Sequence, residues 1–227
     1  MSIPSSSMIS ERIPAAATRV SGAAFVEVDG TLIDSTHERA QAWAETLAEL
    51  GHEVRFERLW RLVGSGADVL LEVAGLPPED EHARRMYERY RALFNEKYLP
   101  RVRPLPGARA LLERLKVDGM RVIALACDGD TKALLDAAGL SSLLECIDEA
   151  DAPGDALRRA GCERHKALVI ASKPFTVRAA QDAGVRAVAV RSGGYSTEAL
   201  QGAVAVYSDA LQLLELLYEV LPRPSRA

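Results

Sequence analysis

Two acidic residues, Glu27 and Asp29, follow an apolar run that begins at Ala24. In an extended strand, side chains two residues apart point to the same side. The two carboxylates could therefore bind one cation, or act as a nucleophile and a general acid/base. Gly30 and Thr31 come next and favour a sharp turn whose backbone N–H groups can meet an anion. The alternative is a strand end followed by a solvated acidic turn, which the spacing alone favours.

The composition is that of an ordinary globular protein and excludes several functional classes. The 227 residues are 48% hydrophobic and 26% charged, without an apolar run of the roughly 18 residues that cross a bilayer. The net charge of −4 gives no electrostatic basis for binding nucleic acid. The three cysteines, Cys127, Cys146 and Cys162, lack the spacing of a zinc site or a disulfide framework. We expect a cytoplasmic protein that binds neither nucleic acid nor membrane, with a mobile tail over residues 1–22.

The rest of the chain divides into a helical stretch and an alternating stretch. Helix-favouring segments fill residues 36–98 and are separated by glycine and proline. Beyond Gly107, short apolar segments alternate with amphipathic ones. This alternation predicts parallel strands joined by right-handed crossovers, in a doubly wound α/β sheet whose site lies beyond the carboxyl ends of the strands. The predicted strands of this stretch are 121–126, 144–147, 167–171, 186–190 and 204–207, and its predicted helices are 108–117, 130–138, 155–160, 175–183 and 209–219.

The opening motif resembles that of a known family. Residues 27–35 read Glu-Val-Asp-Gly-Thr-Leu-Ile-Asp-Ser, which is similar to the Asp-x-Asp-Gly-Thr-Leu-x-Asp-Ser of haloacid dehalogenase-like hydrolases of the phosphoglycolate phosphatase and β-phosphoglucomutase type. Only the first specified position differs. The resemblance implies a Rossmann-like core over residues 23–35 and 104–227, a helical cap over residues 36–103, and phosphoryl transfer that uses Mg²⁺.

The resemblance also implies one motif at each of four strand ends, and this chain departs from the family at every one. At the first, Glu27 replaces the nucleophilic Asp, whereas Asp29 keeps the position of the acid/base. The extra methylene of Glu displaces the attacking oxygen, and an in-line displacement reaction is sensitive to such a misplacement. At the second, Cys127 replaces a Ser or Thr whose hydroxyl bonds the phosphoryl group. A thiol is a much weaker donor, and a structural role for this cysteine is the alternative.

The third and fourth motifs carry the cationic groups in the family. Ala152 stands in place of the lysine that neutralises the phosphate, and Lys166 is an alternative that could reach the site from elsewhere. Ser172 and Thr176 replace the two acids that bind Mg²⁺, and Lys173 brings a positive charge between them. Mg²⁺ prefers hard oxygen ligands in an octahedral array. These substitutions predict severely weakened metal binding at the positions of Glu27, Asp29, Ser172 and Thr176.

These departures lead to a hypothesis about function. We expect a haloacid dehalogenase-like fold that has lost most or all of its phosphatase chemistry and acts by binding, regulation or assembly. A small anionic or phosphorylated ligand would be held by Gly30, Thr31, Lys173 and backbone amides at the strand ends. No cofactor is then expected, and a protein partner is possible but not identified by the sequence.

Two alternatives stay open. The first is a working hydrolase or phosphotransferase that uses Glu27 or Asp29 with a rearranged cation site, and this alternative would retain Mg²⁺. The second is that the substitutions were selected or engineered to trap a ligand. For Lys173 itself, the alternative to ligand binding is an ordinary surface lysine.

Overall fold

The computed structural model describes residues 22–65, 67–77, 79–126, 129–147 and 152–222. The predicted tail, apart from its last residue, and Cys127 lie outside these described residues. Within them, no helix is long and apolar enough to cross a membrane.

A sheet of six parallel strands forms the centre of the fold. Its spatial order is β5-β4-β1-β6-β7-β8, and every neighbouring pair is parallel. The strands are β1 (Gly22–Val26), β4 (Met120–Ala124), β5 (Glu145–Cys146), β6 (Ala167–Ala171), β7 (Arg186–Val190) and β8 (Ala205–Tyr207). The order reverses direction between β1 and β6, so the carboxyl ends of these two central strands border the crevice where ligands bind in doubly wound sheets.

Helices cover both faces of this sheet because its central strands are apolar on both sides. In β1, Ala24 and Val26 belong to one buried cluster and Ala23 and Phe25 to the other. This alternation follows the two-residue period of a strand, and burial on both faces is typical of parallel sheets. The helices are α5 (Ala108–Val117), α6 (Gly129–Ala137), α7 (Pro153–Ala160), α8 (Pro174–Asp182), α9 (Ala210–Glu215) and α10 (Leu217–Val220). The arrangement confirms the predicted α/β class.

Four further helices form a helical segment between β1 and α5. They are α1 (Thr36–Glu49), α2 (Phe56–Leu62), α3 (Ala67–Val73) and α4 (Glu81–Leu93). Trp43 of α1 stacks on Tyr90 of α4 with ring centroids 4.2 Å apart, and both side chains are buried. Such stacking adds to the hydrophobic stabilisation of the helix pair. The division of the chain into a core and a cap stays a prediction.

The junctions of this helical segment differ from expectation. A two-stranded antiparallel sheet joins the two ends of the helical segment. Its strands are β2 (Ile33–Asp34) and β3 (Arg103–Pro104), which the sequence pattern does not predict. Two-residue strands carry too little periodicity to be recognised. The last part of the helix-favouring stretch 36–98 is α-helical only to Leu93 and continues as a π-helical turn, Phe94–Tyr98.

Candidate functional site

Three loops at the carboxyl ends of β1, β6 and β7 meet closely. Gly30 has φ +76°, and a Cβ placed there would lie 2.9 Å from the Cα of Gly193 and 3.1 Å from the Oγ of Ser172. The Ser192 hydroxyl donates to the Gly30 carbonyl at 2.7 Å. Position 30 requires glycine because its φ is positive and because no space is left for a Cβ. This close packing brings the first and fourth sequence motifs together.

The Glu27 carboxylate is buried and held by donors on both oxygens. Its Oε2 accepts from the backbone N–H of Ser172 at 2.7 Å and from the Ser172 hydroxyl at 3.2 Å. Its Oε1 accepts from the Thr176 hydroxyl at 3.0 Å and lies 3.3 Å from the Lys173 Nζ. Hydrogen bonds to an ionised group are stronger than neutral ones, so Glu27 is fixed in one orientation.

Lys173 is a buried lysine, with only 1% of its surface exposed. Besides Glu27, its Nζ donates to the backbone carbonyl of Asp29 at 3.2 Å. The loop between α2 and α3 encloses the ammonium, since a Cβ at Gly64 would lie 2.8 Å from Nζ. A fully buried lysine is rare unless it is paired, and here the carboxylate and the carbonyl supply the partners. The alternative of an ordinary surface lysine is therefore wrong.

Asp29 turns its carboxylate toward the helical segment. Its Oδ1 accepts from the Ser35 hydroxyl at 2.6 Å, and its Oδ2 lies 3.1 Å from the Nη1 of Arg39 on α1. Burial alone would raise the pKa of Asp29, but the charges of Arg39 and Lys173 and the hydrogen bonds from Ser35 and Arg39 outweigh it and lower the pKa below its ordinary value. Asp29 is therefore ionised at neutral pH.

An ion-pair network extends from Arg39 to helix α6. Its Nε donates to the Tyr90 hydroxyl at 3.1 Å, and its Nη2 lies 3.9 Å from the Oδ2 of Asp130 at the start of α6. Asp130 also accepts from the Tyr87 hydroxyl at 3.0 Å and from the Arg91 Nε at 2.8 Å. Burial raises the pKa of Tyr90 to about 12, with Arg39 opposing and the charges of Asp130 and Asp29 adding to the rise.

Sequence reasoning missed Arg39 and Asp130. A signal for Arg39 was present in the spacing of α1, where Thr36, Ala40, Trp43 and Leu47 mark the buried face. A residue at i+3 from Thr36 lies on that same face. A charged residue at such a position indicates a buried partner, but the partner lies in a distant part of the sequence and only the fold identifies it.

A cavity of about 660 Å³ opens between these elements. Its lining includes the polar or charged residues Glu27, Asp29, Arg39, Lys173 and Thr176. Aromatic or aliphatic residues make up most of the rest, among them Trp43, Val69, Leu70, Tyr87, Leu125 and Phe175. This volume is in the range of sites for small organic molecules, which are typically apolar with a few placed polar groups.

The remaining predicted residues have different positions. Ala152 lines the cavity, and its correspondence to the family's lysine stays a prediction. Lys166 precedes β6, at the opposite end of that strand, and pairs with Glu163. The Thr31 side chain is fully buried, and its hydroxyl has no hydrogen-bond partner in the described part of the chain. The described residues that line the cavity do not include Gly30 or Thr31. Their role in ligand binding therefore stays a prediction.

The residues present do not fit the Mg²⁺ that the family resemblance implies. Ser172 and Thr176 offer hydroxyls that already donate to Glu27, and the Lys173 ammonium contacts the two oxygens, Glu27 Oε1 and the Asp29 carbonyl, that a cation would use. Among the described residues, no group of three or more His, Cys, Asp or Glu side chains is arranged to hold a metal ion. Mg²⁺ requires several hard oxygen ligands, so the site disfavours it.

Comparison with known proteins places this geometry in a family. The family model described as "Haloacid dehalogenase-like hydrolase" matches residues 26–190. A phosphoglycolate phosphatase from Aquifex aeolicus is 29% identical over 173 residues, which are 70% of this chain and 80% of that protein. Phosphoglycolate phosphatase 1 from Pseudomonas aeruginosa is 30% identical over 198 residues, 79% of this chain and 73% of that protein.

A solved structure agrees with this assignment. The crystal structure of a hydrolase from Pseudomonas syringae superposes with a TM-score of 0.77 at 27% identity, covering 88% of this chain and 99% of that one. The shared fold includes the parallel sheet and the crossover helices. The chain belongs to the haloacid dehalogenase-like hydrolase family.

Proposed function

We propose that this protein binds a small anionic or phosphorylated ligand in the cavity and has lost Mg²⁺-dependent phosphoester hydrolysis. The observation that carries the proposal is the state of the Glu27 carboxylate. Its two oxygens accept hydrogen bonds from Ser172 and Thr176, and Oε1 lies 3.3 Å from the Lys173 Nζ. Attack on phosphorus would require these interactions to break inside a buried site, and each broken one would leave an unsatisfied polar group at a cost of about 1–3 kcal/mol.

The state of Asp29 supports the same proposal. A general acid must carry a proton near the operating pH. The Arg39 guanidinium, the Lys173 ammonium and the Ser35 hydroxyl hold the pKa of Asp29 below its ordinary value in spite of its burial. An ionised Asp29 paired with Arg39 cannot readily protonate a leaving group.

The ligand class follows from the cavity and from the relatives. Arg39 and Lys173 are cationic residues of the cavity lining, and positive charge at the wall favours an anionic head group. Trp43, Tyr87 and Phe175 offer apolar surface for an organic body. The names of the phosphoglycolate phosphatases indicate a small phosphorylated organic acid. A protein partner and a cytoplasmic location belong to the same proposal as further expectations.

Fluorescence can test ligand binding directly. The chain has two tryptophans, of which Trp43 lines the cavity, so the Trp60→Phe variant isolates its emission. We expect a saturable change in emission with one or more small phosphomonoesters and none with the corresponding alcohols. Equal responses to phosphates and alcohols would contradict an anion-binding cavity.

Phosphate release from the same compounds tests the loss of chemistry. We expect no Mg²⁺-dependent release by the wild-type protein above that of Asp29→Asn, which is prepared identically to reveal contaminating phosphatase. Turnover that Asp29→Asn abolishes would instead support the alternative function.

The alternative function is that of an active phosphatase or phosphotransferase with a rearranged site. One observation favours it: Asp29 and Lys173 both line the cavity, where a carboxylate and a cation could still act on a bound phosphoryl group. Phosphoryl transfer needs positive charge to stabilise the transition state, and Lys173 and Arg39 would have to supply it. Mg²⁺ would be required only under this alternative.

A further inference from the structure

We propose that the Lys173 ammonium acts as a built-in cation, which takes the position of a divalent metal ion and makes the folded site independent of metal. The inference rests on the proposed function, because it assumes that the site has given up Mg²⁺-dependent chemistry. It concerns metal binding and stability, however, and these are measured separately from turnover.

The contacts of the ammonium are those of a bound cation. Nζ lies 3.3 Å from the Glu27 Oε1 and 3.2 Å from the Asp29 carbonyl oxygen. Carboxylate and carbonyl oxygens are also the ligands that a hard dication selects. A metal ion and the ammonium would compete for the same two oxygens, and the ammonium is attached to the chain at a fixed position.

The surroundings hold this cation in place. Lys173 follows the last strand residue of β6 by two positions and is the residue before α8, so its backbone is fixed by the sheet and the helix. The Gly64 loop covers Nζ so closely that even a Cβ would be 2.8 Å away. Buried charges persist when they are paired, and the Glu27 carboxylate pairs with this ammonium.

The rest of the site matches a single positive charge rather than a double one. Ser172 and Thr176 each donate a hydrogen bond to Glu27 instead of adding a carboxylate. The Asp29 carboxylate is paired with Arg39 and offers the ammonium its backbone carbonyl. The single positive charge of the Lys173 ammonium therefore neutralises the single negative charge of the Glu27 carboxylate.

Thermal unfolding in EDTA and in excess Mg²⁺ tests this inference. The wild-type melting temperature should be the same in both. Lys173→Ala and Lys173→Met should both melt at lower temperature in EDTA, because each leaves the Glu27 carboxylate buried without its cation. Lys173→Ala vacates the cation position, so Mg²⁺ should raise its melting temperature by about 5 °C once Mg²⁺ exceeds the dissociation constant about 100-fold. Lys173→Met fills that position with an apolar chain and should not respond.

The controls keep the inference falsifiable. Lys116→Ala removes an exposed lysine that donates to the Ser142 carbonyl, and it should neither lose stability substantially nor respond to Mg²⁺. If Mg²⁺ stabilises the wild-type protein, and Glu27→Gln abolishes that effect, the inference is overturned. It is also overturned if Lys173→Ala is as stable as wild type, or folds but gains nothing from Mg²⁺.

The wild-type measurements apply even if the Lys173 variants do not fold. Mn²⁺ can be titrated directly into the wild-type protein and into Glu27→Gln, with the paramagnetic signal of the free ion as the readout. We expect the two binding curves to coincide, because Glu27 should bind no ion in the wild-type protein. Metal-independent turnover would contradict a role confined to ligand binding and would leave this inference intact. Metal binding at Glu27 without turnover would overturn this inference and leave the proposed function intact.

Discussion

Arg39 Nη1 on helix α1 lies 3.1 Å from Asp29 Oδ2 in the loop after β1, and both side chains are almost fully buried. The ion pair joins the helical segment to the loop that carries the first motif. It also explains why Asp29 is ionised despite its burial. Positioning of the helical segment and the charge state of Asp29 are therefore coupled.

The first prediction concerns the Asp29–Arg39 pair. Asp29→Asn should lower the free energy of unfolding at pH 7 by about 3–5 kcal/mol, because it leaves a buried guanidinium without its nearest charged partner. The pKa of Asp29 is lower in the folded protein than its ordinary value, so its stabilisation is complete above about pH 4 and is lost as the pH falls through the folded pKa. Urea unfolding at a series of pH values measures both effects.

For this series, the difference in stability between wild type and Asp29→Asn should be constant near neutrality and shrink only in acid. The exposed Asp136 of α6 provides the control, and Asp136→Asn should change little at any pH. A difference that widens in acid would contradict the assignment of a lowered pKa to Asp29.

The second prediction concerns restoration of the metal site. Replacing the family positions together, as Glu27→Asp, Ala152→Lys, Ser172→Asp and Thr176→Asp, should not create Mg²⁺ binding while Lys173 is present, because its ammonium contacts the same oxygens. Adding Lys173→Ser should produce binding, which isothermal titration calorimetry would detect. Circular dichroism must first establish that both variants fold, since Ser172 is packed against Gly193. Equal Mg²⁺ affinity in the two folded variants would refute a competing role for Lys173.

The third prediction concerns the contact between Trp60 of α2 and the loop after β7. Gly194 has φ +84°, and a Cβ there would lie 2.6 Å from the Trp60 ring. Gly51 has φ +82° with nothing within 4 Å of a Cβ. Gly51→Ala should therefore cost only backbone strain of about 1 kcal/mol, whereas Gly194→Ala should cost about 1–3 kcal/mol more by displacing the indole.

Chemical denaturation and tryptophan emission would measure this difference. The emission of Gly194→Ala should shift to the red as Trp60 moves toward water, and that of Gly51→Ala should not. Equal destabilisation of the two variants would mean that Trp60 adapts without cost.

The fourth prediction concerns Asp130, which joins α6 to α4. Asp130→Asn should destabilise the protein by about 1–3 kcal/mol, because a buried acceptor of the Tyr87 and Arg91 hydrogen bonds loses its charge. Arg91 has 47% of its side chain exposed, so Arg91→Ala should cost less than about 1 kcal/mol. Hydrogen exchange in α4 should accelerate more in Asp130→Asn. A larger effect of Arg91→Ala would show that the exposed charge dominates the contact.

Much of the fold could be predicted from local patterns. The bounds of β6, β7 and α5 agree with the predictions, because β6 and β7 are short apolar runs and α5 has a helical period of buried residues. The short strands β2 and β3 could not be predicted, since two residues contain no period. The end of α4 shifted because a helical composition does not distinguish an α-helical from a π-helical turn.

The candidate site divides in a similar way. The spacing of Glu27 and Asp29 marked an acidic pair at a strand end, and the family resemblance added Ser172, Lys173 and Thr176, because parallel strands bring their carboxyl ends to one edge. The sequence by itself therefore determined the fold class and the residue types that follow the carboxyl ends of the strands. Only the tertiary structure decided that Lys173 is buried against Glu27 rather than exposed, and that Arg39 pairs with Asp29. The physical reason is that pairing and burial depend on contacts between residues far apart in sequence, such as Lys173 with Gly64 and Arg39 with Asp130.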